Sequence, residues 1–180
     1  WQNSGRGIAI DDSDNIFLGG HNNATSSVQS DFDPGPGVAI LSGGSNGHAF
    51  LAKYTTNGNY VWGFTLGQYG TNAAIVGVEI IPNDTTLIIT GHVNGTSFDV
   101  DPGPGNVILN AQQEDIFAGR YSFNKAYIWA FNCSGPGIDV ARFNAIDSAG
   151  NFYTTGVFSN TVDFDPGAAT VNYTSSGAFD

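Results

Sequence analysis

The sequence predicts an all-β protein in which about three repeats each form a four-stranded antiparallel blade of a β-propeller. Two observations lead to this fold class. The phrase DFDPGPG, which begins at Asp31, returns as DVDPGPG at Asp99 and as DFDPG at Asp163. Short apolar runs with period-two alternation lie between clusters of Gly, Asn and Asp, and no stretch alternates with a helical period. A β-sandwich or a β-solenoid repeat fits the same pattern and stays open as an alternative.

The strands of the first repeat are expected in four short apolar runs. The last run alternates most clearly, because Tyr60, Trp62 and Phe64 fall on one face. Asn57-Gly58 just before it predicts a type I′ hairpin, in which both central residues need a positive φ. The four predicted strands are residues 7–11, 15–20, 48–54 and 60–66.

Matching positions define the limits of the repeats. Residues 1–5 are expected to end a preceding repeat, and three repeats then follow, at 6–69, 70–134 and 135–180, the last of them incomplete. Residues 1–180 therefore read as a fragment of one longer repeat domain. Each repeat exceeds the roughly 40–50 residues usual for a blade. The excess lies between strands two and three, where the aspartate phrase and the apolar residues after it predict an added hairpin.

Composition excludes several classes of function. Sixteen Asp and Glu residues against five Lys and Arg residues give a formal charge of −11, which would repel nucleic acid and anionic lipid. No apolar run is long enough to insert in a membrane. Cys133 is the single cysteine, so an intrachain disulfide is impossible, and no Cys or His spacing indicates a zinc site. A buried, inert thiol is the expectation for Cys133.

Four segments carry a resemblance to a known family. They are AIDSAGNFYTTG at 145–156, VDFDPG at 162–167, FLAKY at 50–54 and NGNYVW at 57–62. Together they resemble the bacterial seven-bladed propeller repeats of the SBBP type, found in secreted and surface proteins of the Bacteroidota. The resemblance implies a secreted or cell-surface location, often reached by type IX secretion, and a role in adhesion or scaffolding. It transfers no catalytic residue.

The repeated aspartate pairs are the candidate metal ligands. Carboxylates two residues apart can lie on one side of an extended segment, and Ca²⁺ prefers such hard oxygen ligands, of which it needs six to eight. The alternative is that the aspartates cap Pro-Gly turns through side-chain hydrogen bonds, which explains their repetition equally well. The candidate calcium ligands are Asp31, Asp33, Asp99, Asp101, Asp163 and Asp165.

Other motifs predict structure rather than chemistry. The string GGSNG at residues 43–47 matches a nucleophile elbow literally, but it precedes a strand and the second repeat keeps no serine there, so a glycine loop is expected. His21 and His92 occupy similar places after strand two, as surface or pocket-lining residues. The tryptophans recur at one strand position and are expected to pack between blades: Trp1, Trp62 and Trp129.

The sequence therefore predicts a protein that is not an enzyme. The expected function is a repeat module of a secreted or cell-surface bacterial protein, for adhesion, filament or scaffold assembly, with calcium as a candidate stabiliser. The expected partners are other repeats of the same longer chain, surface glycans, filament subunits or secretion machinery. One alternative is a carbohydrate-binding or carbohydrate-active propeller in which the Asp pairs act as acid and base. Another is a cargo of a type IX secretion machine.

Overall fold

The computed structural model describes residues 3–23, 29–41, 47–67 and 71–180, and these residues form sixteen β-strands and no helix. The predicted all-β class is confirmed, and every sheet is antiparallel. The strands of the first repeat are β1 (Ser4–Ile10), β2 (Ile16–Asn22), β3 (Ser30–Asp31), β4 (Ile40–Leu41), β5 (His48–Tyr54) and β6 (Tyr60–Leu66).

The later repeats follow the same order. In the second repeat the strands are β7 (Asn72–Ile80), β8 (Thr86–Asn94), β9 (Phe98–Asp99), β10 (Ile108–Leu109), β11 (Glu114–Ser122) and β12 (Tyr127–Cys133). In the third they are β13 (Val140–Ile146), β14 (Phe152–Val157), β15 (Thr161–Asp163) and β16 (Asn172–Thr174).

Each complete repeat is a four-stranded sheet with a small hairpin inserted in it. The sheets have the orders β1-β2-β5-β6 and β7-β8-β11-β12, and the inserted hairpins are β3-β4 and β9-β10. In the third repeat β13 pairs with β14, and β15 pairs with β16. The added hairpin between strands two and three is thus confirmed, and β5 and β6 have the predicted bounds.

The first strand departs from the prediction. Ser4 and Gly5 pair with His21 and Gly20, so they belong to the first sheet and not to a preceding repeat. The pairing register shifts between Gly5 and Gly7, which leaves Arg6 as an unpaired bulge residue. The start of β1 is polar and rich in glycine, and only the residues after the bulge show the period-two alternation. The sequence pattern therefore did not predict that the strand begins at Ser4.

The turn between β5 and β6 is a second correction. The predicted type I′ turn is wrong, because only Gly58 has a positive φ (79°) and Asn57 does not. The N–H of Gly58 donates to the carbonyl of Thr55 at 2.8 Å, and the register shifts at Lys53 and Tyr54. This is a turn closed by a left-handed glycine beside a bulge, the next most common hairpin design.

The sheets pack face to face. Strand β7 lies against β1, β2 and β5, and β13 lies against β7, β8 and β11. The apolar core between the first two sheets includes the fully buried side chains of Phe17, Leu51, Ile75, Leu87 and Phe117. A smaller core joins the second and third repeats.

Trp62 fits the predicted packing between repeats. Its ring lies 6.0 Å from that of Phe17, and its Nε1–H donates to the carbonyl of Phe123 in the second repeat at 3.1 Å. Trp129 stacks on Phe131 at 5.7 Å, whereas Trp1 lies outside the described residues.

Replacement of Gly7 by Ala tests whether the close packing of the first two sheets stabilises the fold. A Cβ added there would lie 2.9 Å from the backbone N of Val78, so one sheet would have to shift. We expect Gly7→Ala to lower the free energy of unfolding by about 1–3 kcal/mol, because overpacking against backbone cannot relax through a rotamer. The measurement is urea unfolding at pH 7.

Gly177→Ala is the control, because a Cβ at Gly177 has no atom within 4 Å. This variant should change the free energy of unfolding by less than about 0.5 kcal/mol. Equal stability of the two variants would contradict the role given to the close approach at Gly7.

Candidate functional site

The first aspartate of each repeated phrase accepts hydrogen bonds from both sides of its hairpin, and this arrangement is termed the clamp. Oδ1 of Asp31 accepts the N–H groups of Asp33 at 3.0 Å and Ala39 at 2.9 Å. The same two bonds recur in the other repeats, from Asp101 and Val107 to Asp99 and from Asp165 and Val171 to Asp163, at 2.9 to 3.1 Å. The carboxylate thus joins both sides of the hairpin.

The second aspartate caps the Pro-Gly turn. Oδ1 of Asp33 accepts the N–H of Gly35 at 2.8 Å. The equivalent bonds run from Gly103 to Asp101 at 2.8 Å and from Gly167 to Asp165 at 2.6 Å. A side chain that accepts a backbone N–H two residues later forms the turn expected of Asp in this position.

The residue between the two aspartates anchors the loop to the sheet. Phe32 packs against Phe50 with ring centroids 4.8 Å apart, and Val100 is fully buried. The carbonyls of these two residues accept hydrogen bonds from the hydroxyls of Tyr54 at 3.0 Å and Tyr121 at 2.8 Å. The first two loops are therefore attached to their own sheets.

The hydrogen bonds favour turn capping over calcium for these loops. All six Oδ1 atoms accept backbone N–H groups, so part of their acceptor capacity is already used within the turns. Over the described ranges, no group of three or more His, Cys, Asp or Glu side chains could hold a metal ion. The N–H groups of Ala39 and Asp33 lower the pKa of Asp31, as expected for a carboxylate held by donors. Calcium stays a prediction at these positions.

A cavity that sequence reasoning missed lies where the three repeats meet. It has two adjoining parts of about 100 and 540 Å³, and Arg6, His92 and Glu114 line both. His21 and Asn72 line the smaller part, and Arg142 lines the larger part together with several apolar side chains. The sequence left His21 and His92 as surface or pocket-lining residues, and in the structure both line this cavity.

The two arginines occupy equivalent positions. The register of β13 shifts between Ala141 and Phe143, so Arg142 is a bulge residue like Arg6 in β1. The corresponding bulge in β7 holds Val76. A sequence signal for this existed, because Arg6 and Arg142 each begin an Arg-x-x-Ala-Ile pattern that the second repeat lacks.

Burial and neighbouring charges determine the protonation of His92 and Glu114, which are termed the cavity floor. Nε2 of His92 lies 3.4 Å from Oε1 of Glu114. Burial, helped by the charges of Arg6, Arg142 and His21, lowers the pKa of His92 to about 4, so this imidazole is neutral at pH 7. Burial raises the pKa of Glu114, and the two arginines oppose that rise.

Two buried carboxylates lie at the junction of the second and third repeats. Asp115 and Asp139 are both 0% exposed. Asp139 accepts the N–H of Ser159 at 3.0 Å, and Asp115 accepts the N–H of Gln112 at 3.2 Å. Among the residues described, Oδ1 of Asp115 and Oδ2 of Asp139 have no hydrogen-bond partner. Burial raises both pKa values, and the charge of Asp115 adds to the rise at Asp139.

These carboxylates also affect the single cysteine. Cys133 is buried, and burial raises the pKa of its thiol to about 11, with Asp163, Asp139 and Asp115 contributing. The thiol therefore stays protonated at neutral pH, which agrees with the predicted inert cysteine.

The glycine-loop interpretation of residues 43–47 falls mostly outside the described residues, which resume at Gly47. No part of the chain that the structure describes contains a helix long and apolar enough to cross a membrane. The sequence matches no protein-family model and no curated protein.

Asp99→Ala tests the clamp. The change leaves the N–H groups of Asp101 and Val107 without their acceptor, so we expect the free energy of unfolding to fall by about 1–3 kcal/mol. Melts of both proteins in calcium and in chelator should show the same loss in each. Asp12→Ala, which removes an exposed carboxylate from a turn, is the control and should have little effect. A higher wild-type melting temperature in calcium, lost in Asp99→Ala, would instead establish calcium at the loop.

Asp139→Asn tests whether the buried carboxylates of Asp115 and Asp139 destabilise the fold at neutral pH. A carboxyl whose folded pKa is raised above 3.8 stabilises the fold below that pH and loses this contribution as the pH rises through the folded pKa. We therefore expect Asp139→Asn to unfold at higher urea concentration than wild type at pH 7, with the difference vanishing near pH 3. Asn keeps the Oδ1 acceptor for Ser159. A variant that is less stable at pH 7 would contradict the repulsion inferred between Asp115 and Asp139.

Proposed function

We propose that this chain is a non-catalytic repeat module of a secreted or cell-surface protein, built for adhesion, filament or scaffold assembly. The observation that carries the proposal is the recurrence of the aspartate loops. Each repeat holds the same carboxylates with the same backbone donors, so they serve the architecture of each unit. Catalytic carboxylates are expected once per protein and in a cleft.

The proposal includes a propeller-type arrangement of the sheets. Its support is the strand order of the two complete sheets, which follows the chain, together with the packing of β7 and β13 on the preceding sheet. A closed ring needs at least four blades, so the outer faces of three units need a cover. Other repeats of the same longer chain are the proposed cover.

Exposed apolar side chains on the first and third repeats support the proposal that further repeats cover the outer sheet faces. Phe143 is 75% exposed on the third repeat, although the equivalent Gly7 is buried against the second sheet. Ile8 is 64% exposed on the first repeat, although the equivalent Val78 is buried. Both end faces therefore carry exposed apolar side chains that a further copy or repeat would cover.

Glycan binding is a second candidate function. The cavity around Arg6, His92 and Glu114 occurs once in the described part of the chain, unlike the aspartate loops, and it is large enough for a small ligand. The carbohydrate-active version, in which the Asp pairs act as acid and base, has less support because their Oδ1 atoms already accept backbone N–H groups.

Self-association tests the scaffold proposal. We expect the 180-residue chain to form concentration-dependent oligomers in analytical ultracentrifugation, because exposed sheet faces gain free energy by burial. Phe143→Asp should weaken association about tenfold or more. Tyr173→Asp is the control and should not weaken association, because it replaces an aromatic that is 60% exposed on the small β15-β16 hairpin. A chain that stays monomeric at all concentrations would count against an assembly module.

A further inference from the structure

The cavity concentrates positive charge in an acidic protein. The chain has five Lys and Arg residues and a formal charge of −11, yet two of the five, Arg6 and Arg142, line this one cavity. Neither arginine forms an ion pair within the described ranges. Among the described residues, Arg6 has one side-chain hydrogen bond, from Nε to Ser4 Oγ at 3.3 Å, which leaves the terminal nitrogens of its guanidinium available to a ligand.

The fold brings the two arginines to the lining of one cavity. They come from equivalent bulges in the first strands of the first and third repeats, and a bulge redirects the side chain that it carries. The second repeat lies between them and contributes His92 and Glu114 to the cavity floor. Val76 at the middle bulge adds no charge of its own.

The remaining lining offers a different set of contacts. Glu114 is a hydrogen-bond acceptor, and neutral His92 lies beside it, with Nε2 3.4 Å from Oε1 of Glu114. Ile138, Val140 and Val157 form an apolar wall beside them. The larger part, about 540 Å³, lies within the size range of small-ligand sites.

We propose that this cavity binds an acidic sugar residue, with its carboxylate between Arg6 and Arg142 and its hydroxyl groups against Glu114 and His92. Guanidinium groups match carboxylates in geometry and charge, which explains two arginines on one opening. The carboxylate of Glu114 matches donor hydroxyls, which a sugar carries and a simple carboxylic acid lacks. This proposal specifies the class of sugar for the glycan-binding function proposed above, and it rests on that function.

The test is titration of the full 180-residue chain with galacturonate oligomers, followed by calorimetry and by NMR shifts of the Arg6, His92 and Glu114 amides. Galactose oligomers have the same ring without the carboxylate, and they should bind at least tenfold more weakly. Glutamate supplies a carboxylate without the sugar and should also bind more weakly. Arg6→Gln and Arg142→Gln should each weaken galacturonate binding about tenfold to hundredfold.

Lys125→Gln is the matched control, because it removes an exposed positive charge outside the cavity and should leave binding within about twofold. Equal binding of galactose, equal binding of glutamate, or arginine variants that bind like wild type would each overturn the proposal. A chain that self-associates but binds no galacturonate would overturn this inference alone and leave the assembly proposal standing.

Discussion

The close approach of neighbouring sheets is the constraint on which the rest of the structure depends. Gly7 lies against the backbone of Val78, with no room for a side chain. This contact sets the distance between the first two sheets and encloses the core around Phe17 and Ile75. Together with the packing of β13 on β7, it brings the bulges that carry Arg6 and Arg142 to one cavity. A larger separation would open the core and disperse the cavity lining.

The two junctions between repeats differ in chemistry. The first is mainly apolar and aromatic, with Trp62 donating across it to Phe123. The second has a small core around Ile116 and Val162, beside the buried carboxylates Asp115 and Asp139. Burial raises the pKa of both carboxyls, so the stability of the second junction depends on their protonation.

The two aspartates of each loop stabilise the small hairpin that is inserted in each repeat. A small two-stranded hairpin is marginal by itself, and the clamp from the first aspartate joins its two sides while the second aspartate shapes its turn. Tyr54 and Tyr121 then hold the loop through the carbonyl between the aspartates. Repetition of these contacts explains why the phrase returns in the sequence without a need for shared chemistry.

The sequence by itself determined the β class, the repeats, the bounds of β5 and β6, and the added hairpins, because alternation and turn residues are local signals. It left open whether Asp31 binds calcium or caps a turn, since the partner N–H of Ala39 lies eight residues away across the hairpin. It also missed the cavity and the Asp115–Asp139 pair. Their members come from different repeats and meet only when the sheets pack, so tertiary structure alone decided which charges face each other.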